Sequence, residues 1–360
     1  MNLQTHSAWE GHISEILSSP GVTVVVGAVD TGKSSFCSLL ANSALKSGIR
    51  TAVVDGDLGQ SEIGPPTTIG LGLVESKIYA LGDLKPRSIY FVGSTSPVGH
   101  LLSSVVGVKT LADKAVSLGR ELVIVDTTGL VSGIIGRKLK TSKIELLRPR
   151  HIVALQRVGE AEHFLRFFDA WEGCTIHRLP IAAGVRLKTQ VLRTQRRAVK
   201  FREFFHSAEV KTLMMDGLAT SGAWLKTGNT LEPKYLKFAE NALGIDIMHG
   251  ELADRSVYLV TAGSPGAKAR SGVEQLQEYF RTRNIIIVPA SRYQNLVVGL
   301  IDRHLETISL GVIKEIDFRA GSISLLTPLR SLAPVKSIRF GITKLRPDFT
   351  EIGRLNQGEL

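Results

Sequence analysis

VVVGAVDTGKSSF (Val24–Phe36) places two glycines, a lysine and a serine directly after a run of valines. Gly27-x4-Gly32-Lys33-Ser34 has the P-loop spacing G-x-x-x-x-G-K-[ST]. The valines before it read as a short buried strand, and Ser34 to Lys46 reads as a helix stopped by Ser47-Gly48. Between the two, glycines let backbone N–H groups wrap a phosphate, and the helix N-terminus adds partial positive charge. The expected nucleotide-binding residues are therefore Gly27, Asp30, Thr31, Gly32, Lys33, Ser34 and Ser35. Lys33 is expected to reach the β/γ-phosphates and Ser34 to ligate Mg²⁺. Asp30 is the odd member, because a carboxylate in an anion-binding loop must point away or meet a cation.

Outward from this loop the pattern repeats. TAVVD (Thr51–Asp55), SIYFVG (Ser88–Gly93), ELVIVDTTG (Glu121–Gly129) and HIVAL (His151–Leu155) read as further strands, and TIHRLP as a shorter one. Leu101 to Leu118 has helical spacing. Apolar strands alternating with helices predict an α/β P-loop NTPase, its mostly parallel sheet covered by helices on both faces. Residues 1–20 read as a short N-terminal helical segment and 21–205 as the P-loop domain. Residues 206–360 read as a smaller β-rich C-terminal domain, with a boundary somewhere in 206–255. That domain is expected from VYLVTAG, NIIIVPAS, NLVVGLID, TISLGVIKEIDF and SISLLTPL, short apolar runs split by turn residues.

The motifs fall at strand carboxyl ends, where open α/β sheets bind ligands. VVDGDLGQ ends the second strand with Asp55 and Asp57 two residues apart. A carboxylate there can hold Mg²⁺ or take a proton from an attacking hydroxyl, and Gln60 can orient a water or a phosphate oxygen. SEIGPPTTIG follows as a stiff loop with Pro66 and Thr68, and FVGSTSPVGH and DTTGLVSG are hydroxyl-rich loops at later strand ends. Together they can line a groove for a second substrate, with Thr127 and Thr128 in the last. Asp126, in the same loop, is an alternative to Asp55 beside the metal.

The chain carries a formal net charge of +11. From Arg137 to Arg202 there are sixteen Lys/Arg against five Asp/Glu, so the excess is concentrated there. Such a segment fits a polyanion. Its densest part, RLKTQVLRTQRRAVKFREFF, puts Arg193 and Arg197 four apart on one helical face, with Lys188 and Arg202 extending the stripe. In a P-loop protein an arginine helix can close over the nucleotide and neutralise charge on the transferring phosphoryl group. The two cysteines, Cys37 and Cys174, form no C-x-x-C pair. His6, His12 and His100 lack ligand spacing and read as structural. No run of about 18 apolar residues is present to span a bilayer, and no signal peptide is recognised, so a cytoplasmic location is expected and no membrane partner.

Together the pieces resemble the polynucleotide 5′-hydroxyl kinase family, which includes the kinase of the pre-mRNA cleavage complex and the ribosomal-RNA-processing kinase. GAVDTGKS is similar to the family's phosphate loop with an acid before the second glycine, and DGDLGQ to its D-x-D-x-G-Q motif. GPPTT resembles the loop called a clasp, FVGSTSP and DTTGLVSG two further segments, and the arginine helix (about 186–205) the lid. The resemblance covers residues 21–205, and more weakly the C-terminal domain. It implies transfer of the γ-phosphate of ATP or GTP to the 5′-hydroxyl of RNA or DNA. It assigns Asp57 to activating the hydroxyl, Asp55 to the metal, Lys33 to the phosphates, and Arg193 and Arg197 to the lid. Pro66 and Thr68 become clasp residues. Leu130 stands where some members have a base-stacking tryptophan. The competing readings are an ATP-binding scaffold of an RNA-processing assembly and a switch ATPase. Ala28 after Gly27 lacks the lysine common in switch ATPases.

Overall fold

The computed structural model describes residues 3–181, 189–266, 269–355 and 360. The chain divides after Phe201 into two units.

In the first unit, β1 (Val22–Gly27) lies at the centre of a sheet with β5 (Leu122–Thr127) on one side and β6 (His151–Gln156) on the other, both parallel to it. β2 (Thr51–Gly56) adds in parallel to β5, and β7 (Thr175–Pro180) in parallel to β6. β3 (Thr68–Val74) and β4 (Pro86–Phe91) continue the sheet beyond β2 in antiparallel fashion. β3 corrects the expected extent of the SEIGPPTTIG loop: the loop ends at Thr67, and Thr68 opens a strand.

Successive residues of a strand face opposite sides of the sheet, and β1 shows what each side meets. Val24 and Val26 pack in a cluster with residues of α3 (Leu101–Ser117), α4 (Gly133–Leu147) and the short α5 (Glu162–Leu165). Val25 packs in a second cluster with Trp9, Ile13 and Ile16 of α1 (Leu3–Ser18) and Phe36 and Leu40 of α2 (Lys33–Lys46). Helices therefore cover both faces, and strands buried on both sides read as unbroken apolar runs. α6 (Gln190–Phe204), the helix expected to form the lid, is amphipathic in a different way: Arg197, Ala198 and Phe201 are its buried residues. Lys188 and the start of the lid segment assigned from sequence lie outside the described residues.

The second unit holds two sheets. The larger has β17 (Ser337–Leu345) between β18 (Glu351–Arg354) and β14 (Leu296–Ile301), with β15 (Thr307–Asp317), β16 (Ser322–Thr327) and β8 (Glu209–Met214) following in turn. β9 (Ala219–Ser221) runs parallel to β17. The smaller orders β10 (Asn229–Thr230), β11 (Ile247–Ala253), β12 (Ser256–Thr261) and β13 (Asn284–Pro289). α7 (Pro233–Leu243) and α8 (Ala269–Tyr279) accompany it, and Ala239, Leu243 and Leu276 join the core formed with Val257 and Leu259. Among the described residues, no helix is long and apolar enough to cross a membrane.

Candidate active site

The phosphate loop leaves β1 at Gly27 and enters α2 through Gly32, whose φ of +88° is left-handed and suits glycine. Lys33 is the first residue of α2 and is buried, and its Nζ donates to the Ala28 carbonyl at 2.8 Å. Thr31 Oγ1 donates to the same carbonyl at 3.0 Å. Ser34 Oγ donates to Asp126 Oδ2 at 2.7 Å, and half-buried Ser35 shares that first turn. Asp30 does meet a cation: Arg193 Nη2 donates to its Oδ2 at 2.8 Å, an ion pair between phosphate loop and α6.

Asp55 and Asp126 end adjacent strands in register, both buried. Their chemistry differs because their partners differ. Asp55 Oδ2 accepts the backbone N–H of Glu62 (2.6 Å) and Ile63 (3.0 Å), and its Oδ1 accepts that of Asp57 (3.0 Å). Asp55 is thus the buckle of the acidic turn. Burial, with Asp126 beside it, pushes its carboxyl up to about 8 against the N–H groups of Ile63 and Asp57. Burial pushes Asp126 up to about 6, opposed by the Lys33 charge and the Ser34 hydroxyl, and its Oδ1 has no hydrogen-bond partner among the described residues. Asp57 lies on the turn itself and is half-buried. Its Oδ1 accepts the N–H of Gly59 (3.0 Å) and Gln60 (3.1 Å), an Asx-turn.

Helix α6 is tied to this turn. Arg197 Nη1 donates to Gly59 O at 3.4 Å, Lys200 Nζ to Glu62 O at 3.3 Å, and Gln60 Nε2 to Arg193 O at 3.4 Å. Between the turn and α6 lies a cleft of about 530 Å³ whose walls include Gln60, Glu62, Pro66, Leu192, Arg196 and Lys200. The other loop residues are placed differently. Thr68 is fully buried and donates to Pro65 O at 2.7 Å. Thr127 is fully buried and donates to Val25 O at 2.8 Å. Both hydroxyls donate to backbone carbonyls within the fold. Thr128 is buried, and its Oγ1 lacks a partner among the described residues.

Two residues escaped the sequence reading. Lys140 and Lys143 lie on the buried face of α4. Lys140 Nζ donates to Thr127 Oγ1 at 2.6 Å and Thr128 O at 2.5 Å, which fixes the DTTG loop. Lys143 Nζ has no hydrogen-bond partner among the described residues. Burial lowers it to about 8, while Asp57, Asp55 and Asp126 hold it up. The signal was present in the spacing: Gly136, Leu139, Lys140, Lys143, Ile144 and Leu147 form one stripe, with lysines at two core positions.

The DTTG loop touches the phosphate loop through Gly129, where an added Cβ would lie 2.5 Å from Val29 Cγ2 and 2.8 Å from its backbone nitrogen. Gly129→Ala is expected to destabilise the protein by about 1–3 kcal/mol through overpacking. Thermal unfolding and a nucleotide titration measure it, and both midpoints should shift.

The family described as mRNA cleavage and polyadenylation factor CLP1 P-loop matches residues 27–207, from the first glycine of the phosphate loop to just past α6. A polyribonucleotide 5′-hydroxyl-kinase of Pyrococcus abyssi is 33% identical over 347 residues, covering 96% of this chain and 94% of that protein. The chain belongs to the CLP1 P-loop family. A polyribonucleotide 5′-hydroxyl-kinase of Methanocaldococcus jannaschii is 30% identical, covering 94% of this chain and 90% of its own length. Among solved structures, Clp1p in complex with Pcf11p superimposes with a TM-score of 0.62 at 14% identity, over 95% of this chain and 79% of that one. Membership makes the protein a P-loop kinase that binds ATP, with the architecture expected from its sequence.

Proposed function

We propose that the protein transfers the γ-phosphate of ATP to the 5′-hydroxyl of an RNA strand, as the names of its archaeal relatives say of those proteins. The observation that carries the reading is the lid's double attachment. Arg193 reaches the phosphate loop at Asp30, and Arg197 reaches Gly59, two residues from Asp57. One cationic helix thus ties the phosphate loop and the acidic turn that carries Asp57, an arrangement that suits phosphoryl transfer. In this reading Lys33 and the loop N–H groups bind the phosphates. Asp57 accepts the proton of the 5′-hydroxyl, and the two lid arginines stabilise charge on the phosphoryl oxygens. The strand end enters through the cleft beside Gln60 and Pro66. Thr128 is the DTTG hydroxyl in a position to serve substrate.

The donor set fits Mg²⁺, a hard cation that takes oxygen ligands. Ser34 and Asp126 would hold it, supported by the unpartnered Oδ1 of Asp126. Asp55 is not assigned this role, because both its oxygens already accept backbone N–H groups. When bound, the metal neutralises phosphate charge. Only ionised Asp126 can hold it, so affinity is fully present above about pH 6 and is lost as pH falls through that value. Mg²⁺ titrations at successive pH values are expected to show the apparent dissociation constant rising about tenfold per unit below it, a dependence that Asp126→Asn removes.

The reading itself is tested by labelled γ-phosphate transfer to matched 5′-hydroxyl RNA and DNA oligonucleotides. Labelling of RNA ends is expected. ATP hydrolysis without end labelling would sink the proposal.

A further inference from the structure

Away from the kinase site, α1 packs against the outer strand β7, and Trp9 Nε1 donates to Pro180 O at 3.1 Å. Beside this contact three histidines stand in line. His151 Nε2 lies 2.9 Å from Ser19 O, His151 Nδ1 lies 3.1 Å from His177 Nε2, and His177 Nδ1 lies 3.1 Å from His12 Nδ1. Glu15 Oε2 is 3.7 Å from that same His177 nitrogen.

Protons can be assigned along this row. A carbonyl oxygen only accepts, so His151 Nε2 carries the hydrogen. His151 and His177 are 1% and 2% exposed, and burial keeps such rings neutral. His151 Nδ1 is then an acceptor, and His177 Nε2 must donate to it. That leaves a lone pair on His177 Nδ1, aimed at His12 and Glu15. A ring whose second nitrogen donates to a fixed acceptor is the arrangement that orients metal-binding histidines.

We propose that His12 Nδ1, His177 Nδ1 and the Glu15 carboxylate bind a divalent zinc-type ion that clips helix α1 to the outer strand. Their ligand atoms all lie within 4.8 Å of one another. Zn–N bonds of 2.0–2.1 Å place tetrahedral ligand atoms about 3.3 Å apart, close to the 3.1 Å between the two nitrogens. His12 and Glu15 are three apart on one helical face. His12 is half-buried and Glu15 exposed, so the site is open to solvent and a water can complete the coordination. Two imidazoles and one carboxylate suit Zn²⁺ or Co²⁺ rather than the Mg²⁺ of the kinase site. Sequence spacing hides the set, because His12 and His177 are 165 residues apart.

The test uses untagged full-length protein, stripped of metal with a chelator and held in excess Mg²⁺ and ATP so that the kinase site is filled. Co²⁺ is titrated while ligand-field absorption is followed. One equivalent is expected to bind with tetrahedral-type bands, to be displaced by Zn²⁺, and to raise the melting temperature. His12→Asn and Glu15→Gln are each expected to weaken binding by at least about tenfold, in line with the loss seen when even an outer-shell partner is removed. Glu15 is exposed, so its variant keeps the fold. No absorption bands in the wild type, or bands of unchanged affinity in Glu15→Gln and folded His12→Asn, overturn the proposal.

Discussion

Asp57→Asn is expected to lower kcat for phosphoryl transfer by about 10²- to 10⁴-fold and to leave ATP affinity unchanged. The substitution is informative because of what it preserves. An asparagine keeps the Oδ1 that accepts the N–H groups of Gly59 and Gln60, so the Asx-turn and the lid contacts built on it survive. It removes the charge and the basicity that would draw a proton from the 5′-hydroxyl. Asp57→Ala would remove both, and its loss would mix folding with chemistry. Single-turnover transfer from a preformed ATP complex separates the two steps. Wild-type rates in Asp57→Asn would remove the residue from the base role and direct attention to the other carboxylates facing Lys143.

Arg197→Ala is expected to cost about 10³- to 10⁵-fold in kcat, the range attributed to an arginine that stabilises phosphoryl charge. Arg197 is only 6% exposed, a rare burial for a guanidinium, and it is held by Gly59 O and by Thr194 Oγ1 at 3.1 Å. Those bonds aim it at the acidic turn. Arg197→Lys keeps the charge but not the planar fork and is expected to recover only part of the loss. Arg193 differs because Asp30 already neutralises it, so Arg193→Ala also removes a loop-to-lid tie. Steady-state kinetics with a 5′-hydroxyl RNA decide the case. A loss confined to KM would assign Arg197 to gripping the strand instead of to the transfer step.

Much of this was legible in the residues. Strands flanked by helices on both sides carry an apolar run with no polar face, and β1, β2, β5 and β6 were readable for that reason. β3 was not, because TIGLGLV follows two prolines and is diluted by glycines, so turn chemistry outweighed a strand signal. In the C-terminal unit, α7 and α8 flank a short sheet and were missed among the strand signals around them. The cradle was fixed by spacing, since its chemistry is local. Which of Asp55 and Asp126 keeps an unpartnered oxygen was not, because it depends on where the backbone of Glu62 and Ile63 folds back. The role of Asp30 needed Arg193, 163 residues away.

The buried lysines of α4 alter what the strongly basic middle of the chain means for a nucleic acid. Lys140 and Lys143 sit in the interior, and Arg178 is bound to Glu162 and Asp169 on the surface. A polyanion arriving from water therefore displaces fewer counterions than a residue count promises. In the proposed reaction, grip on the polymer would therefore rest on fewer free cations than the count of sixteen suggests, and correspondingly more on its end and on the walls of the cleft.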